Sequence, residues 1–320
     1  MPRQYVNQLR DNESLNEIFL VTDRQLRPNR NGIFYIQMTI SDRTGSLGAR
    51  LWNATEEQFQ QFAVGDYVRV EGSTQRFQGV IQVIAKKIIK VEASEVNADD
   101  FKRAVQVDRQ KLRNRLLEIL RGMKDPVLVN LADCFFIDEE FMDQFCRAPA
   151  GIKLHHAYEG GLLEHTVTML EVAQRVIPLY PALNGDLLLT GIFLHDIGKT
   201  AELGYDAEMT YTSQGQILGH PVLALEMLQD KIRETEKLSE ERFDPEWEML
   251  LKHLIISHHG TYEHGSPKLP MTLEAVALYH IDSLDSKLFE FEKYMFEDPN
   301  SGSPWTNYIP AIERKLYKGH

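Results

Sequence analysis

The chain has 320 residues, 43% of them apolar, and 35 Lys+Arg stand against 47 Asp+Glu for a net charge of −12. That is enough apolar material for two cored domains, and the charge excludes a protein that binds polyanions over its whole surface. No apolar run approaches the roughly 20 residues that cross a bilayer, and the N-terminus MPRQYVNQLRDNES lacks a signal-peptide core, so a cytoplasmic protein without a membrane partner is expected. Cys134 and Cys146 are the two cysteines, which excludes a disulfide scaffold and a cysteine zinc site and leaves reduced thiols as the expected state.

After an N-terminal segment (1–13), residues 14–95 read as β. SLNEIFLVTDRQL, GIFYIQMTI, SLGARLWN, DYVRVEGSTQ and GVIQVIAKKIIKV are short β-branched or aromatic runs, separated by turn signals such as PNRNG, DRTG, VGD and QRFQG. A short helix fits NATEEQFQQF between the third and fourth runs. Five strands with one inserted helix match a small Greek-key barrel of the OB type. Between Ser14 and Lys90 there are 10 Lys+Arg and 7 Asp+Glu, a balance of +3, which leaves 25 against 40, or −15, for the rest. A polyanion would meet the N-terminal part first.

The strand pair GIFYIQMTISDRTGSLGARLWN resembles those of OB domains that bind nucleic acid. Such folds stack bases on aromatic side chains and follow the backbone with Arg and Lys. Tyr35, Trp52 and Phe77, interleaved with Arg50 and Arg76, are the candidates for that contact. Alternate aromatics of a barrel are core about as often as they are surface, so which of them face a ligand stays open at this level.

From ASEVNADDF onward the period changes to that of helix. Residues 96–149 form a helical linker region, with Leu112, Leu116, Leu117 and Leu120 on one face of VDRQKLRNRLLEILRGM. Residues 150–310 form an all-α domain and 311–320 a C-terminal tail. The fold class is therefore multidomain α+β, an N-terminal five-stranded OB-type barrel followed by an all-α domain.

The helical domain carries the chemistry. His165 in GGLLEHTVTML, His195 and Asp196 in FLHDIGKT, His220 in ILGHPVLAL, His258 and His259 in LIISHHGTYEHG, and Asp282 in ALYHIDSLDSK each lie within or beside an apolar stretch. Any one of them alone would more often be a satisfied core residue than a ligand. Together, on five separate segments, they point to one interior. Imidazoles and carboxylates without thiolate suit divalent Mn, Fe, Co, Ni or Mg better than structural zinc. Seven groups exceed the needs of one ion and suffice for two that share a carboxylate, an arrangement suited to phosphoester hydrolysis.

The order His, His-Asp, His, His-His, Asp resembles that of the HD superfamily of metal-dependent phosphohydrolases, named for the doublet seen here as His195-Asp196. The resemblance implies that Asp196 bridges the metals, that His165, His195 and Asp282 complete one ion, and that His220, His258 and His259 complete the other. Which of His258 and His259 binds more directly is open. It also supports Lys199, three residues beyond Asp196, as a catalytic point charge at the rim for substrate phosphate, against the alternative of a solvated helix end. His155, His156, His264 and Lys268 are candidates for the substrate cleft. Asp285, one turn from Asp282, fits a supporting role better than ligation.

An OB domain ahead of an HD domain, with HHAYEGGLLEHT, LHDIGKT, ISHHG and IDSLDSK in this order, is similar to the YhaM family of 3′-5′ exoribonucleases. The resemblance implies metal-dependent hydrolysis of single-stranded RNA, and of single-stranded DNA as a second substrate, from the 3′ end to nucleoside monophosphates, by a protein that forms homo-oligomers. The alternatives are a hydrolase of small nucleotides or cyclic dinucleotides, and a non-catalytic nucleic-acid-binding factor.

Overall fold

Alternation of apolar and polar side chains builds the N-terminal part of the molecule. In the computed structural model, which describes residues 3–29, 31–77, 80–101, 108–151, 156–204, 210–298 and 303–319, strands β1 (Ser14–Pro28), β2 (Phe34–Asp42), β3 (Gly45–Leu51), β4 (Tyr67–Phe77) and β5 (Val80–Val91) close into a barrel. The order around it is β1-β2-β3-β5-β4, antiparallel except where β3 runs parallel to β5. Helix α1 (Glu56–Gln60), capped by the Thr55 side chain on Gln58 N–H, lies between β3 and β4 as the sequence predicts. In β2 the inward set is Ile36, Met38 and Ile40, all buried, and it packs with Phe19, Val68, Val70 and Val83. The outward set of the same strand is Gln37, Thr39 and Ser41, and its partners across the ladder on β3 are Arg50, Gly48 and Ser46. The period of two thus places one polar strip on the outside of β2 and β3.

The chain divides into two compact units, Met1–Gln106 with Phe291–His320, and Val107–Glu290. Within the first unit, residues 303–319 fold into a hairpin rather than a tail. Trp305 bridges Tyr317, Ile309 bridges Arg314, and Ile312 and Leu316 are buried. Asp298 accepts from Lys318 Nζ at 2.7 Å and from the Asn307 backbone at 3.0 Å, which anchors both arms.

The second unit is helical. Its elements are α2 (Arg109–Arg121), α3 (Pro126–Phe136), α4 (Glu139–Arg147), α5 (Gly161–Val176), α6 (Gly185–Leu194), α7 (Lys199–Glu202), α8 (Ser213–Leu218), α9 (His220–Ser239), α10 (Pro245–Ser257) and α11 (Leu273–Glu297). The last turns of α11, from Phe291, belong to the first unit. A two-stranded ribbon, β6 (Leu203–Gly204) with β7 (Thr210–Tyr211), separates α7 from α8. Helices α2 to α4, read above as a linker region, bury Leu116, Leu120, Leu128 and Phe145 in the same core as α5, α6, α9 and α10. Helix α6 is capped by Asn184 on Leu187 N–H and is buried at every position from Leu187 to Leu194. A helix buried on every side of that stretch can only be a central one. Among the described residues, no helix is long and apolar enough to cross a membrane.

Candidate metal centre

The central helix α6 ends at His195, and the chain turns through Asp196 into α7. That turn lies against the start of α9. A Cβ on Gly198 would come within 2.0 Å of the His220 carbonyl oxygen, so only glycine allows the approach. Four ends of secondary structure and the middle of two helices then converge on one carboxylate. Asp196 Oδ1 lies 3.4 Å from His220 Nε2 and 3.7 Å from His258 Nε2. Asp196 Oδ2 lies 3.3 Å from His195 Nε2, 4.0 Å from His165 Nε2 and 2.6 Å from Lys199 Nζ.

Each of these four imidazoles is oriented by its other nitrogen. His195 Nδ1–H donates to the Ile192 carbonyl at 2.7 Å, and His258 Nδ1–H to the Ile255 carbonyl at 2.6 Å, the same contact three residues back in two helix ends. His220 Nδ1–H donates to the Glu202 carboxylate, 3.2 Å from Oε2, and His165 Nδ1–H to Asp285 Oδ2 at 2.6 Å. An acceptor on Nδ1 leaves Nε2 as the coordinating atom, which is how metal-bound histidines are held. Three sets have donor atoms within 4.8 Å of one another: His165, His195 and Asp282; His220, His258 and His259; and His156, His165 and Asp285, which shares His165 with the first. Asp196 turns one oxygen toward each of the first two. The ring centroid of His259 is 4.2 Å from that of His258 and 5.1 Å from that of His220.

The electrostatics fit a cation. His195 Nε2 and Asp196 Oδ1 are buried and make no hydrogen bond among the described residues, and leaving such groups unsatisfied costs about 1–3 kcal/mol each unless something occupies the space between them. Burial works against ionisation of Asp196, yet the charges of Lys199 and His195 hold its carboxyl well below the ordinary range. Burial, with the charge of His195 added, keeps His258 far below its usual value, and burial lowers His259 as well, so both are neutral donors. Burial also disfavours charge on His165, but hydrogen bonds to Asp282 and Asp285 outweigh it and push its pKa up to about 9. Despite its own burial, Asp285 is drawn down to about 2 by His156 and His165. A pocket that holds an imidazolium this firmly between carboxylates favours positive charge. The donor set, nitrogen and oxygen without sulfur, suits a first-row divalent ion.

The remaining predicted residues divide. Lys199 does not lie at a rim. It is 8% exposed, bonded to Asp196 and, at 2.7 Å, to the Ala150 carbonyl. His156 is buried, with Nε2 3.1 Å from Asp285 Oδ2, Nδ1 2.8 Å from the Tyr158 hydroxyl, and its ring stacked 4.2 Å from Phe289. Tyr158 in turn donates to Glu164. His155 lies outside the described residues. His264 and Lys268 are exposed on the segment after α10 and make no side-chain contact with the cluster among the described residues. In the barrel, the Tyr35 and Trp52 rings are 4.8 Å apart, and the Arg50 guanidinium lies 5.9 Å from the Trp52 ring and 5.6 Å from the Phe77 ring. These four form one outer cluster, and Arg76 is exposed on the same strand as Phe77. Sequence reading missed Glu202, which also accepts from the His220 backbone N–H at 2.9 Å. The available signal was a carboxylate six residues beyond Asp196 on the same short turn of chain.

Comparison with known proteins gives the same two parts. Residues 20–91 match the OB-fold nucleic acid binding domain family and residues 162–287 the HD domain family. The chain is thus a nucleic-acid-binding-type barrel joined to an HD phosphohydrolase domain. It is 32% identical over 309 residues to the 3′-5′ exoribonuclease YhaM of Bacillus subtilis, covering 96% of this chain and 95% of that one. To the protein of the same name in Bacillus pumilus it is 33% identical, over 90% of this chain and 89% of that one, and to that in Listeria monocytogenes 32%, over 83% and 82%. The chain belongs to the YhaM family of 3′-5′ exoribonucleases.

Proposed function

We propose that this protein is a metal-dependent 3′-5′ exoribonuclease that shortens single-stranded RNA, and single-stranded DNA as a second substrate, to nucleoside monophosphates. Two divalent ions, Mn first among the candidates, would be held by His165, His195 and Asp282 and by His220, His258 and His259, with Asp196 between them. Such ions supply Lewis acidity and a nucleophilic water near neutral pH. The chain's own residues do the rest. Asp282 and Asp196 bring negative charge to the cations, the four Nδ1 contacts hold the imidazoles in place, and Lys199 keeps Asp196 ionised and fixed. Hydrolysis forms one P–O bond from water and breaks one to the departing ribose oxygen, which takes up a proton. The barrel holds the strand through Tyr35, Trp52, Phe77 and Arg50.

The observation that carries this reading is the position of Asp196, with one carboxylate oxygen toward each histidine set and four Nε2 atoms aimed at it. It is tested by incubating the protein with 5′-labelled single-stranded RNA, first in EDTA and then with added Mn, and resolving the products on a gel. A ladder shortening from the 3′ end, dependent on metal and absent in Asp196→Ala and Asp196→Asn, is expected. Intact RNA under every metal tried, with small nucleotides hydrolysed instead, would overturn it.

A further inference from the structure

The polar strip on the outside of β2 and β3 is not an open face. Within the first unit, a cleft of about 560 Å³ runs along it, with Gln37, Thr39, Ser41 and Arg50 on the barrel side and residues 307–310 of the C-terminal hairpin opposite. That volume falls in the range of roughly 300–1,000 Å³ typical of sites for small ligands. The side chains of Gln37, Thr39 and Ser41 make no hydrogen bond with other described residues, so their donors and acceptors are available to an occupant.

Charge selects the occupant. The two carboxylates at the cleft are already engaged: Asp42 by the Val6 and Thr44 backbones and the Thr44 hydroxyl, and Asp298 by Lys318 and Asn307. Arg43 and Arg50, both half-buried, have no carboxylate within ion-pair distance among the described residues. With Lys318 compensating Asp298, the two arginines face the single carboxylate of Asp42, which neutral donors hold, so the balance at the cleft is positive. On the hairpin side, the Tyr308 ring is 57% exposed, lines the cleft and has no ring partner among the described residues. Arg43 lies over the Tyr5 ring and Arg50 near those of Trp52 and Phe77, contacts that leave guanidinium N–H groups for an anion. Free polar side chains, two guanidiniums without a carboxylate partner and an open aromatic face are the elements that bind a single strand, by hydrogen bonds, phosphate contacts and base stacking.

We propose that the C-terminal hairpin is the second wall of the barrel's RNA groove, with a base stacked on Tyr308 and the backbone phosphates on Arg43 and Arg50. The inference rests on the reading of this chain as a protein acting on RNA and adds a binding element from the opposite end of the sequence. It is tested on the full chain in EDTA, which prevents hydrolysis, by fluorescence anisotropy of a short 5′-labelled single-stranded oligoadenylate, with melting temperature as the check of fold. Tyr308→Ala is expected to weaken binding about tenfold, as loss of one stacked base does, and Tyr308→Phe to keep it. Unchanged affinity in Tyr308→Ala, with binding weakened in Arg50→Ala, would overturn the second wall while leaving the RNA reading intact. Absence of binding by the unaltered chain would overturn both.

Discussion

Lys199 Nζ lies 2.6 Å from Asp196 Oδ2, and both side chains are almost completely buried. Removing one partner of such a pair leaves the other as an uncompensated buried charge, at a cost of about 3–5 kcal/mol. Asp196→Ala is therefore expected to lower the urea midpoint sharply, whereas Asp196→Asn, which keeps a hydrogen-bond acceptor for Lys199, is expected to lose less. Equal midpoints for the two variants would show that the ammonium relaxes to solvent.

Asp285 contacts no proposed ion directly, yet it grips His165 Nδ1 at 2.6 Å. Asp285→Asn is expected to weaken Mn binding by about 10- to 100-fold, the usual effect of removing an outer partner of a ligating histidine. Glu202→Gln is expected to do the same through His220. Calorimetric titration of the metal-free protein measures both, and an affinity unchanged in either would mean that packing alone orients that ring.

Gly198 offers a steric test of the same centre. Gly198→Ala must move α9 away from the His195-Asp196 turn, because the new Cβ would sit 2.0 Å from the His220 carbonyl oxygen. Overpacking of this kind costs about 1–3 kcal/mol. The expected result is a lower melting temperature together with weaker metal binding, since His220 moves with the helix; a loss of stability without loss of affinity would separate the two.

Asp138 caps α4 on Phe141 N–H and pairs with Lys231 at 2.8 Å. The hydrogen bond from Lys231 comes first among the causes that, against burial, hold its carboxyl below the ordinary value. A depressed carboxyl stabilises the fold above its unfolded pKa, and that contribution is lost as pH falls through the folded value. Asp138→Ala is expected to cost about 1 kcal/mol at pH 7 through the cap, and the gap from the unaltered protein should narrow toward pH 3. Urea unfolding at the two pH values measures it; a gap that does not change with pH would mean that the cap, and not the ion pair, carries the effect.

Burial pushes the Cys146 thiol up to about 11, more than the nearby Arg113 and Arg109 lower it. Alkylation near pH 8 is expected to run about 100-fold slower than for a thiol of ordinary pKa, because the thiolate is the nucleophile. Mass spectrometry against time with iodoacetamide reads the rate directly.

Residue type and local order determined a good deal. Strand alternation in GIFYIQMTI and SLGARLWN defines a barrel with an inward Ile36, Met38 and Ile40, because the period of two has one buried solution. The imidazoles and carboxylates that the structure brings around Asp196 were visible because such groups are rare inside apolar runs like LLLTGIFLHDIGKT. Of their supporting acids only Asp285 was visible, by its place one turn from Asp282. Glu202 and Glu164 look like any acidic residues in a chain with 47 of them, and only the tertiary structure gives them a histidine to hold, His220 and His156.

Lys199 shows the same limit from the other side. Helical spacing puts it on the face of the doublet, but whether that face meets solvent or the Ala150 carbonyl depends on a segment 49 residues away. The C-terminal hairpin is the furthest case. Nothing local in residues 303–319 says that they return to the barrel, since a turn is encoded by its neighbours while the partner of a folded segment is chosen by the surface it can bury and the charges it can pair. That choice, made through Asp298 with Lys318 and through the cleft along β2 and β3, exists only in the tertiary structure.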